Sequence, residues 1–270
     1  MWHNGRFVTA LPLDDRGWSL GDALFETILV RHSVPVWLDE HLARLARGCE
    51  RLGMDYSEKL SAEIAAALQA QPLTCGVLRI CLSRCSDGQR GYRPATRRCH
   101  RYLQLSAYAV PPRQHWEQGI RSFVATTRLP EQPDLAGIKH TNRLPNILAR
   151  GERDPVAFPE GLMLSESSAV IEGISSNLFV GAKGRLLTPR LDRAGVAGVA
   201  RAKVVALAQQ LGIPVSEVRL GLNDLYKADE LFYCNSLIGL WPVRQLDCFH
   251  YASSRLCQQL QKGLESVWYG

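Results

Sequence analysis

The chain has 270 residues, of which 46% are hydrophobic, 21% charged and 8% aromatic. This composition is typical of a globular enzyme and excludes a fibrous or disordered chain, and the length suits one large or two modest domains. No run approaches the ~20 apolar residues that cross a bilayer, and the first six residues lack the basic and then apolar order of a signal peptide. We therefore expect a cytoplasmic protein with no membrane partner.

The formal net charge is +6, and the basic residues are scattered except in one cluster that contains Arg93, Arg97, Arg98, His100 and Arg101. Dispersed positive charge argues against a nucleic-acid partner and suits a small anionic substrate or cofactor. The cluster is interpreted as a solvated loop rather than a binding patch. The eight cysteines form no CxxC pair and no spacing typical of a metal site, so we expect neither disulfides nor a metal, and most of them in the core.

Residues 1–110 are predicted to form a small α+β domain. Period-two patterns predict strands over residues 6–8, 25–30 and 36–38, with a turn at 33–35, and strands over 77–82 and 102–107 around a loop rich in glycine and arginine. Apolar residues at helical spacing from Leu38 to Leu52 predict a helix that Gly53 ends. A second helix is predicted over 61–69, with Ser61 as its N-cap.

A linker is predicted over residues 111–117, at Pro111 and Pro112, followed by a C-terminal domain over 118–270. Short strands are predicted over 122–126, 161–164, 169–171 and 231–235, a hairpin over 178–180 and 186–188, and helices over 142–150, 199–211 and 254–265. Short strands interrupted by helices, without an internal repeat, favour a mixed sheet or barrel.

Lysine is scarce, with six residues against 26 arginines, and Lys139 lies in the unusual segment LAGIKHTNRL. A lysine behind a short apolar run, just before a helix, can be partly desolvated. Its amine would then be uncharged near neutral pH and able to form a Schiff base. A surface lysine whose alkyl stem lies along apolar residues is the ordinary alternative.

Glu172 ends an apolar strand and is followed by the polar turn that contains Ser175, Ser176 and Asn177. A carboxylate at such a place is costly unless it pairs with a cation or a protonated ring nitrogen. A strand-end glutamate bonded to local backbone is the alternative, and the serines and asparagine are equally good turn formers.

The segment GVAGVAR, from Gly195 to Arg201, leads into an apolar-periodic helix. Glycine just ahead of a helix lets backbone N–H groups approach a phosphate at the positive helix end. The segment is neither a Walker loop nor a GxGxxG motif, so a flexible helix start is an equal alternative.

Arg44, in the segment HLARL, falls beside the apolar stripe of the first predicted helix at ~100° per residue. From there its guanidinium can reach inward to bind a phosphate with its fork of donors. An arginine at the boundary of the stripe, without any ligand, is the ordinary alternative.

These segments follow one another in a fixed order: HLxRL at Arg44, AGIKHxNRL at Lys139, EG and then SSNLF from Glu172, and TPRLDxAGVxGVAR over 188–201. In that order they resemble the fold-type IV pyridoxal-phosphate enzymes, and within this family they are most similar to the aminodeoxychorismate lyases. The resemblance extends from GDALFET at 21–27 to LFYCN at 231–235. It implies an α+β fold with a small N-terminal α+β domain and a C-terminal mixed-sheet pseudobarrel domain that holds the cofactor.

The resemblance implies a role for each candidate residue. Lys139 is similar to the lysine that holds pyridoxal phosphate as a Schiff base, and Glu172 to the acid that keeps the pyridine nitrogen protonated. Both are predicted to be catalytic. Arg44 is similar to the arginine that binds the phosphate, with help from groups around Ser175, Ser176, Gly198 and Val199.

The resemblance also implies a homodimer in which a loop of one subunit closes the partner's site. The loop GQRGY, over 88–92, lies where relatives present residues to substrate carboxylates. Arg90 and Tyr92 are therefore weaker candidates for the substrate side, with Arg84 as the alternative to Arg90. Thr27 and Asn142 are further candidates, for which a structural role is the alternative.

The activity that the resemblance implies is the conversion of 4-amino-4-deoxychorismate to 4-aminobenzoate and pyruvate, on the route to folate. The alternative within the fold is an aminotransferase for D-amino acids or branched-chain amino acids, which shares the lysine, the glutamate and the phosphate residues. A cofactor-free binding protein that kept the fold is the alternative from another class. The segments AGIKHxNRL and LDxAGVxG favour the lyase.

Overall fold

The computed structural model describes residues 1–12, 15–88 and 91–269. Contacts between residues divide the chain into two compact units. The first unit comprises Met1–Ala109 and Ile138–Asn142, and the second comprises Val110–Gly137 and Arg143–Gly270. The segment that carries Lys139 thus packs with the first unit although its chain neighbours belong to the second. The domain division predicted from the sequence, with its boundary near residue 111, stays a prediction.

The first unit contains an antiparallel sheet and three helices among the residues described. Its strands are β1 (Trp2–His3), β2 (Arg6–Phe7), β3 (Ala23–Arg31), β4 (Val34–Pro35), β5 (Cys75–Arg84) and β6 (Cys99–Ala107), and its helices are α1 (Arg16–Leu20), α2 (Leu38–Leu52) and α3 (Leu60–Ala70). The strands lie in the order β2-β1-β6-β5-β3-β4.

Helix α2 packs on strand β3 through the apolar stripe that the sequence predicts. Leu42 and Leu45 are buried, and Gly48 lies so close to the side chain of Leu24 on the strand that a larger residue would clash. Gly53 ends the helix in the left-handed conformation, with a φ of 62°, as glycine commonly does at helix C-termini. The predicted helix and its end are confirmed.

Two local predictions in this unit are wrong. The hairpin turn lies at His32 and Ser33, whose φ angles are 48° and 62°, so the second strand is Val34–Pro35 instead of residues 36–38. Neither turn residue is the glycine or asparagine that usually signals such a turn. Helix α3 begins at Leu60 with Lys59 at its N-cap, so Ser61 lies inside the helix and does not cap it.

The second unit contains a mixed sheet and five helices among the residues described. Its strands are β7 (Ile120–Val124), β8 (Glu160–Leu164), β9 (Val170–Gly173), β10 (Asn177–Ala182), β11 (Arg185–Pro189), β12 (Val215–Val218), β13 (Glu230–Asn235), β14 (Gly239–Leu246) and β15 (Phe249–His250). Its helices are α4 (Arg113–Gln118), α5 (Leu144–Arg150), α6 (Val199–Gln210), α7 (Leu222–Tyr226) and α8 (Arg255–Tyr269). The strands lie in the order β12-β11-β10-β13-β14-β7-β8-β9, and β15 pairs with β14.

The predicted hairpin of the second unit is confirmed. Strands β10 and β11 pair antiparallel around Lys183 and Gly184, which take the positive φ angles of a tight turn. Apolar side chains of β10 and β13, among them Leu178 and Leu231, are buried in one core cluster. This core holds the strands that carry the polar residues of the site.

Other parts of the second unit differ from the prediction. Helix α4 begins at Arg113, inside the predicted linker of residues 111–117, and its Trp116 is buried. Helix α5 begins at Leu144, two residues later than predicted. Strand β14 was not predicted, and it contains Pro242, which has no backbone N–H. Its pairing with β7 shifts register between Val243 and Gln245.

The cysteines are less buried than predicted. Three of the eight are buried, four are half-buried and Cys248 is exposed, and all are free, so the expectation that most lie in the core is wrong. The helices within the described ranges do not combine the length and the apolar composition that spanning a bilayer requires.

Candidate active site

Backbone pairing with the start of strand β3 positions Lys139. The N–H of Phe25 donates to the carbonyl of Lys139 at 2.9 Å, and the N–H of Thr141 donates to the carbonyl of Ala23 at 3.0 Å. These two bonds attach the lysine segment to a strand in the core of the first unit. The lysine is therefore held by regular structure five residues before helix α5.

The side chain of Lys139 lies against an aromatic ring. Its Nζ is 4.4 Å from the centroid of the Phe25 ring, and the guanidinium carbon of Arg79 is 4.5 Å from the same centroid. Sequence analysis missed Arg79, although it alternates on strand β5 with the buried residues Leu78 and Ile80. That alternation places its side chain on the opposite face of the sheet.

A cavity of about 270 Å³ lies in the first unit, and its lining includes Arg79, Thr141, Asp15, Ser83 and Tyr102. Asp15 accepts hydrogen bonds from the hydroxyls of Tyr102, at 2.7 Å, and of Ser83. Burial and the hydrogen bond to Asp15 raise the pKa of the Tyr102 hydroxyl. The acid of the lining is thus bonded internally, and Arg79 is a basic side chain that the lining offers to an anionic ligand.

Arg44 is part of a buried ionic cluster with two residues that sequence analysis missed, Glu26 and His41; we call the three residues the Glu26 cluster. Arg44 Nε donates to Glu26 Oε1 at 2.8 Å, and its terminal NH2 donates to Oε2 at 2.5 Å. The Nδ1 of His41 is 2.7 Å from Oε2. Glu26 and His41 are fully buried, and Arg44 is 6% exposed.

The charges of the Glu26 cluster compensate one another. Burial by itself raises the pKa of Glu26, but hydrogen bonds from Arg44 and His41 outweigh it, so the pKa lies below its usual value of 4.5. Burial lowers the pKa of His41 below 6.5 against the opposing effect of Glu26. The cluster thus contains an ionised acid, a cationic arginine and a neutral imidazole that donates through Nδ1.

These pKa shifts predict that acid destabilises the fold through His41. The folded state keeps His41 neutral while the unfolded state takes up a proton below about pH 6.5, so stability is present above that pH and is lost as the pH falls. Between pH 7 and 5 the free energy of unfolding should fall by up to about 2 kcal/mol from this residue. Urea unfolding at both pH values measures it: His41→Asn should lose less stability than the parent, whereas His32→Asn, in the exposed turn, should match the parent. Equal losses in all three proteins would contradict the prediction.

Glu172 is buried at the end of strand β9. The N–H of Val196 donates to its Oε2 at 2.8 Å, so a backbone partner of this acid lies 24 residues away along the chain. Gly195 has a φ of 88°, and a side chain there would approach Ile171 to 2.8 Å and Glu172 Oε2 to 3.2 Å. Only glycine fits the turn that brings this N–H to the acid.

The predicted phosphate residues Ser175 and Ser176 share one acceptor. Their hydroxyls donate to Oε2 of the buried Glu160 at 2.7 and 2.8 Å, and Arg150 donates to Oε1 of the same acid at 2.9 Å. The hydroxyl hydrogens are therefore directed at Glu160, a residue that sequence analysis missed. The phosphate role of the serines stays a prediction.

The other predicted phosphate residues lie at the start of helix α6. Gly198 is the N-cap without a side-chain cap, and Val199 is the first helical residue. A side chain at position 198 would approach Asn177 Oδ1 to 1.9 Å, while Asn177 Nδ2 donates to the carbonyl of Val196 at 2.8 Å. The first-turn N–H groups have no acceptor within the helix, and they and the helix dipole suit an anion.

The substrate-side candidates occupy varied positions. Thr27 is half-buried opposite Arg79 on the neighbouring strand, and the Nδ2 of Asn142 donates to the carbonyl of Gly21 at 3.1 Å. Tyr92 is 89% exposed. Arg90 lies outside the described residues, so its role and those of the other three candidates stay predictions.

Arg84, the alternative to Arg90, is buried and bonded within the first unit. Its Nε donates to Asp22 at 2.8 Å, and its terminal nitrogens donate to the carbonyls of Leu52 and Gly53 at 2.6 and 2.9 Å. These carbonyls lie at the C-terminus of helix α2, where a cation is stabilising. The geometry gives Arg84 a structural role.

Comparison with known proteins places the chain in a family. The sequence profile of the amino-transferase class IV family matches residues 23–246. An aminodeoxychorismate lyase of Vibrio harveyi is 33% identical over 98% of this chain and 99% of the relative, and a D-alanine aminotransferase of Bacillus licheniformis is 26% identical over 90% and 87%. The crystal structure of 4-amino-4-deoxychorismate lyase from Pseudomonas aeruginosa is 42% identical, covers 98% of both chains and has a TM-score of 0.94. The chain belongs to the amino-transferase class IV family.

The comparisons confirm the family and the α+β fold that the sequence motifs predict. The branched-chain aminotransferase of Escherichia coli, at 23% identity and a TM-score of 0.89, has the same fold. Relatives named for the predicted lyase activity match over nearly the whole chain. Relatives named for the alternative, amino-group transfer, belong to the same family.

Proposed function

We propose that this chain is a pyridoxal-phosphate-dependent 4-amino-4-deoxychorismate lyase, which releases pyruvate and leaves 4-aminobenzoate for folate synthesis. The observation that carries the proposal is the 42% identity to a 4-amino-4-deoxychorismate lyase over 98% of the chain. The position of Lys139 in the first unit supports it, and so do the positions of Glu172 and of the start of helix α6 in the second unit.

The donor set of the described residues suits pyridoxal phosphate. Lys139 offers an amine for the aldehyde, and Glu172 offers a buried carboxylate for the protonated pyridine nitrogen. The N–H groups after Gly198 offer donors for the phosphate, and Arg44 offers a guanidinium. A Cβ at position 198 would collide with Asn177 Oδ1, so only glycine lets the backbone take its place at the start of helix α6.

When bound, pyridoxal phosphate supplies an aldehyde for the substrate amine and an electron-withdrawing ring. Lys139 would hold the cofactor through its amine and would release it to the amine of the substrate. The freed amine of Lys139 takes the proton from the ring carbon that bears the substrate nitrogen. Glu172 holds a proton on the pyridine nitrogen, so the negative charge that develops is stabilised.

The bond that breaks next is the C–O bond to the enolpyruvyl group. Its loss forms the aromatic ring of 4-aminobenzoate, and a proton from Lys139 or from water turns the released enolpyruvate into pyruvate. Aromatisation makes this course strongly downhill. An ordinary amino acid has no such leaving group and follows the transamination course instead.

The substrate carries two carboxylates, and Arg79 supports their binding. Arg79 lines the cavity of the first unit together with Thr141, two residues from Lys139. A guanidinium binds a carboxylate through two parallel hydrogen bonds. Arg79 therefore joins Arg90 as a candidate for the substrate side.

The proposed enzyme is a cytoplasmic homodimer. Helix α5 supports a second copy, because Leu144, Ile147 and Leu148 are 71%, 64% and 64% exposed. Apolar patches of this kind often mark protein–protein contacts. Sedimentation of the purified protein should give twice the chain mass of 30.1 kDa, and a monomer at micromolar concentration would contradict this part of the proposal.

A product assay with 4-amino-4-deoxychorismate tests the activity. The holoenzyme should form 4-aminobenzoate and pyruvate in equal amounts over many turnovers, with no 2-oxo acid present, because elimination returns the cofactor as its aldehyde. A transaminase would stop after one half-reaction and leave pyridoxamine phosphate. If the holoenzyme makes no aminobenzoate yet transfers amino groups rapidly between D-alanine and 2-oxoglutarate, the aminotransferase alternative replaces the lyase.

A further inference from the structure

We infer that Glu26 is a positioning residue for Arg44: its buried carboxylate fixes the orientation in which the guanidinium binds the phosphate of the cofactor. The inference rests on the proposed function, because it takes Arg44 as a phosphate ligand. Glu26 in this role contacts neither the substrate nor the reacting atoms, because it acts through Arg44.

Three donors from helix α2 converge on the Glu26 carboxylate. Two N–H groups of Arg44 reach its two oxygens at 2.8 and 2.5 Å, and His41 Nδ1 reaches the second oxygen at 2.7 Å. The two arginine bonds form a fork that fixes the plane of the guanidinium as well as its distance.

The position of Glu26 on strand β3 is unfavourable for an acid without a partner. Its neighbours on the same face, Leu24 and Ile28, are fully buried, as is Glu26 itself. An unpaired carboxylate at such a place is strongly destabilising, and apolar side chains are the usual occupants of such positions. The acid therefore serves its partners on helix α2 rather than the packing of the strand.

Two effects of Glu26 on phosphate binding have opposite signs. Its negative charge repels a phosphate dianion. Its fork holds the arginine in place before the phosphate binds, so binding does not have to immobilise a long side chain at an entropic cost. The charge of Glu26 is compensated by the arginine at hydrogen-bond distance, so the repulsion that remains is small. We therefore expect the positioning effect to be the larger one.

Glu26→Gln separates the two effects because it removes the charge and keeps the shape. An amide has one acceptor oxygen and one NH2 group, whereas three donors converge on the native carboxylate. If His41 changes its tautomer, its Nδ1 can accept from the NH2 group of the new glutamine. At least one N–H of Arg44 then still faces that NH2 group, which is a donor and not an acceptor. The guanidinium must turn away from its native orientation.

The test measures equilibrium binding of pyridoxal phosphate and of pyridoxal to the apoenzyme, followed by absorbance and by quenching of tryptophan fluorescence. Glu26→Gln should weaken binding of pyridoxal phosphate about tenfold, and Arg44→Ala about a hundredfold. Neither variant should change the affinity for pyridoxal, which has no phosphate. A purely structural role of Glu26 would weaken the binding of both compounds alike.

The ion pair of Glu63 and Arg101 provides a matched control. It lies in the same unit and has the same fork geometry, with distances of 2.8 and 2.6 Å. Glu63→Gln should leave the affinity for both compounds at the parent value. The thermal midpoint of each apoenzyme shows whether a variant is folded at the temperature of the binding measurement.

Further variants keep the inference testable if Glu26→Gln does not fold. Arg44→Lys keeps the positive charge but cannot form the fork, so it should also weaken the binding of pyridoxal phosphate about tenfold. In the double variant of Glu26→Gln and Arg44→Ala, binding should be no weaker than in Arg44→Ala alone, because the acid acts through the arginine.

The outcomes distinguish this inference from the proposed function. If Arg44→Ala leaves the affinity for pyridoxal phosphate unchanged, the phosphate role of Arg44 is wrong and the inference fails with it. If Arg44→Ala weakens binding but Glu26→Gln and Arg44→Lys bind as tightly as the parent or more tightly, charge alone decides and only the positioning role is overturned.

Discussion

Replacement of Lys139 by alanine is expected to abolish turnover and to remove the visible absorbance that pyridoxal phosphate acquires when it is joined to a protein amine. The variant has no amine where strand β3 holds the lysine segment, so both the covalent link and the proton transfer are lost. Loss of a positioned general base alone lowers rates by about a hundred- to ten-thousandfold. Absorbance spectra of the holoenzyme and the rate of aminobenzoate formation measure the two effects.

Lys262→Ala is the matched control, because Lys262 is exposed on helix α8. It should keep the spectrum and the rate of the parent. Borohydride reduction of the parent should fix pyridoxal phosphate to a peptide that contains Lys139. A labelled peptide around any other lysine, or full turnover of Lys139→Ala, would overturn the assignment.

The sequence predicted the local elements of the site well because their signals are local. The apolar stripe belongs to the 15 residues of helix α2 and the glycine that ends the helix follows them directly, so the spacing of these neighbouring residues alone places Arg44 beside the stripe. The family was predicted from the order of several such short motifs along the chain. Two of the wrong predictions concern a turn, at His32, and a cap, at Ser61. The turn is held by bonds from the N–H groups of His32 and Ser33 to the carbonyls of Thr74 and Leu73, contacts that the local sequence does not reveal.

The partners of the predicted residues could not be found from the sequence, because they lie far along the chain. Glu26 is 18 residues from Arg44, and Glu160 is 15 residues from the turn of Ser175. Each acid lies in a strand whose pattern otherwise indicates burial, so an ionisable residue at a buried strand position was the available signal. Which cation or hydroxyl meets it depends on the sheet register, which one sequence does not specify.

Replacement of Glu172 by glutamine should leave pyridoxal phosphate bound but lower turnover about tenfold to a hundredfold. Position 172 would keep an acceptor for the N–H of Val196, so the fold around it should persist. A neutral amide stabilises a protonated pyridine nitrogen less than a carboxylate does, and a charge-assisted hydrogen bond of this kind contributes about 1.5 to 3 kcal/mol.

The ¹⁵N chemical shift of the cofactor ring nitrogen reports this role directly, because it differs between the protonated and the neutral ring. Glu230→Gln is the control: Glu230 is also a buried strand acid of the second unit that accepts backbone N–H groups, from Leu256 and Cys257. It should lower the thermal midpoint while keeping the ring nitrogen protonated and the rate within about twofold of the parent. In Glu172→Gln the ring nitrogen should lose its proton as the rate falls. If both the nitrogen shift and the rate stay at the parent values, the acid that holds this proton is another residue.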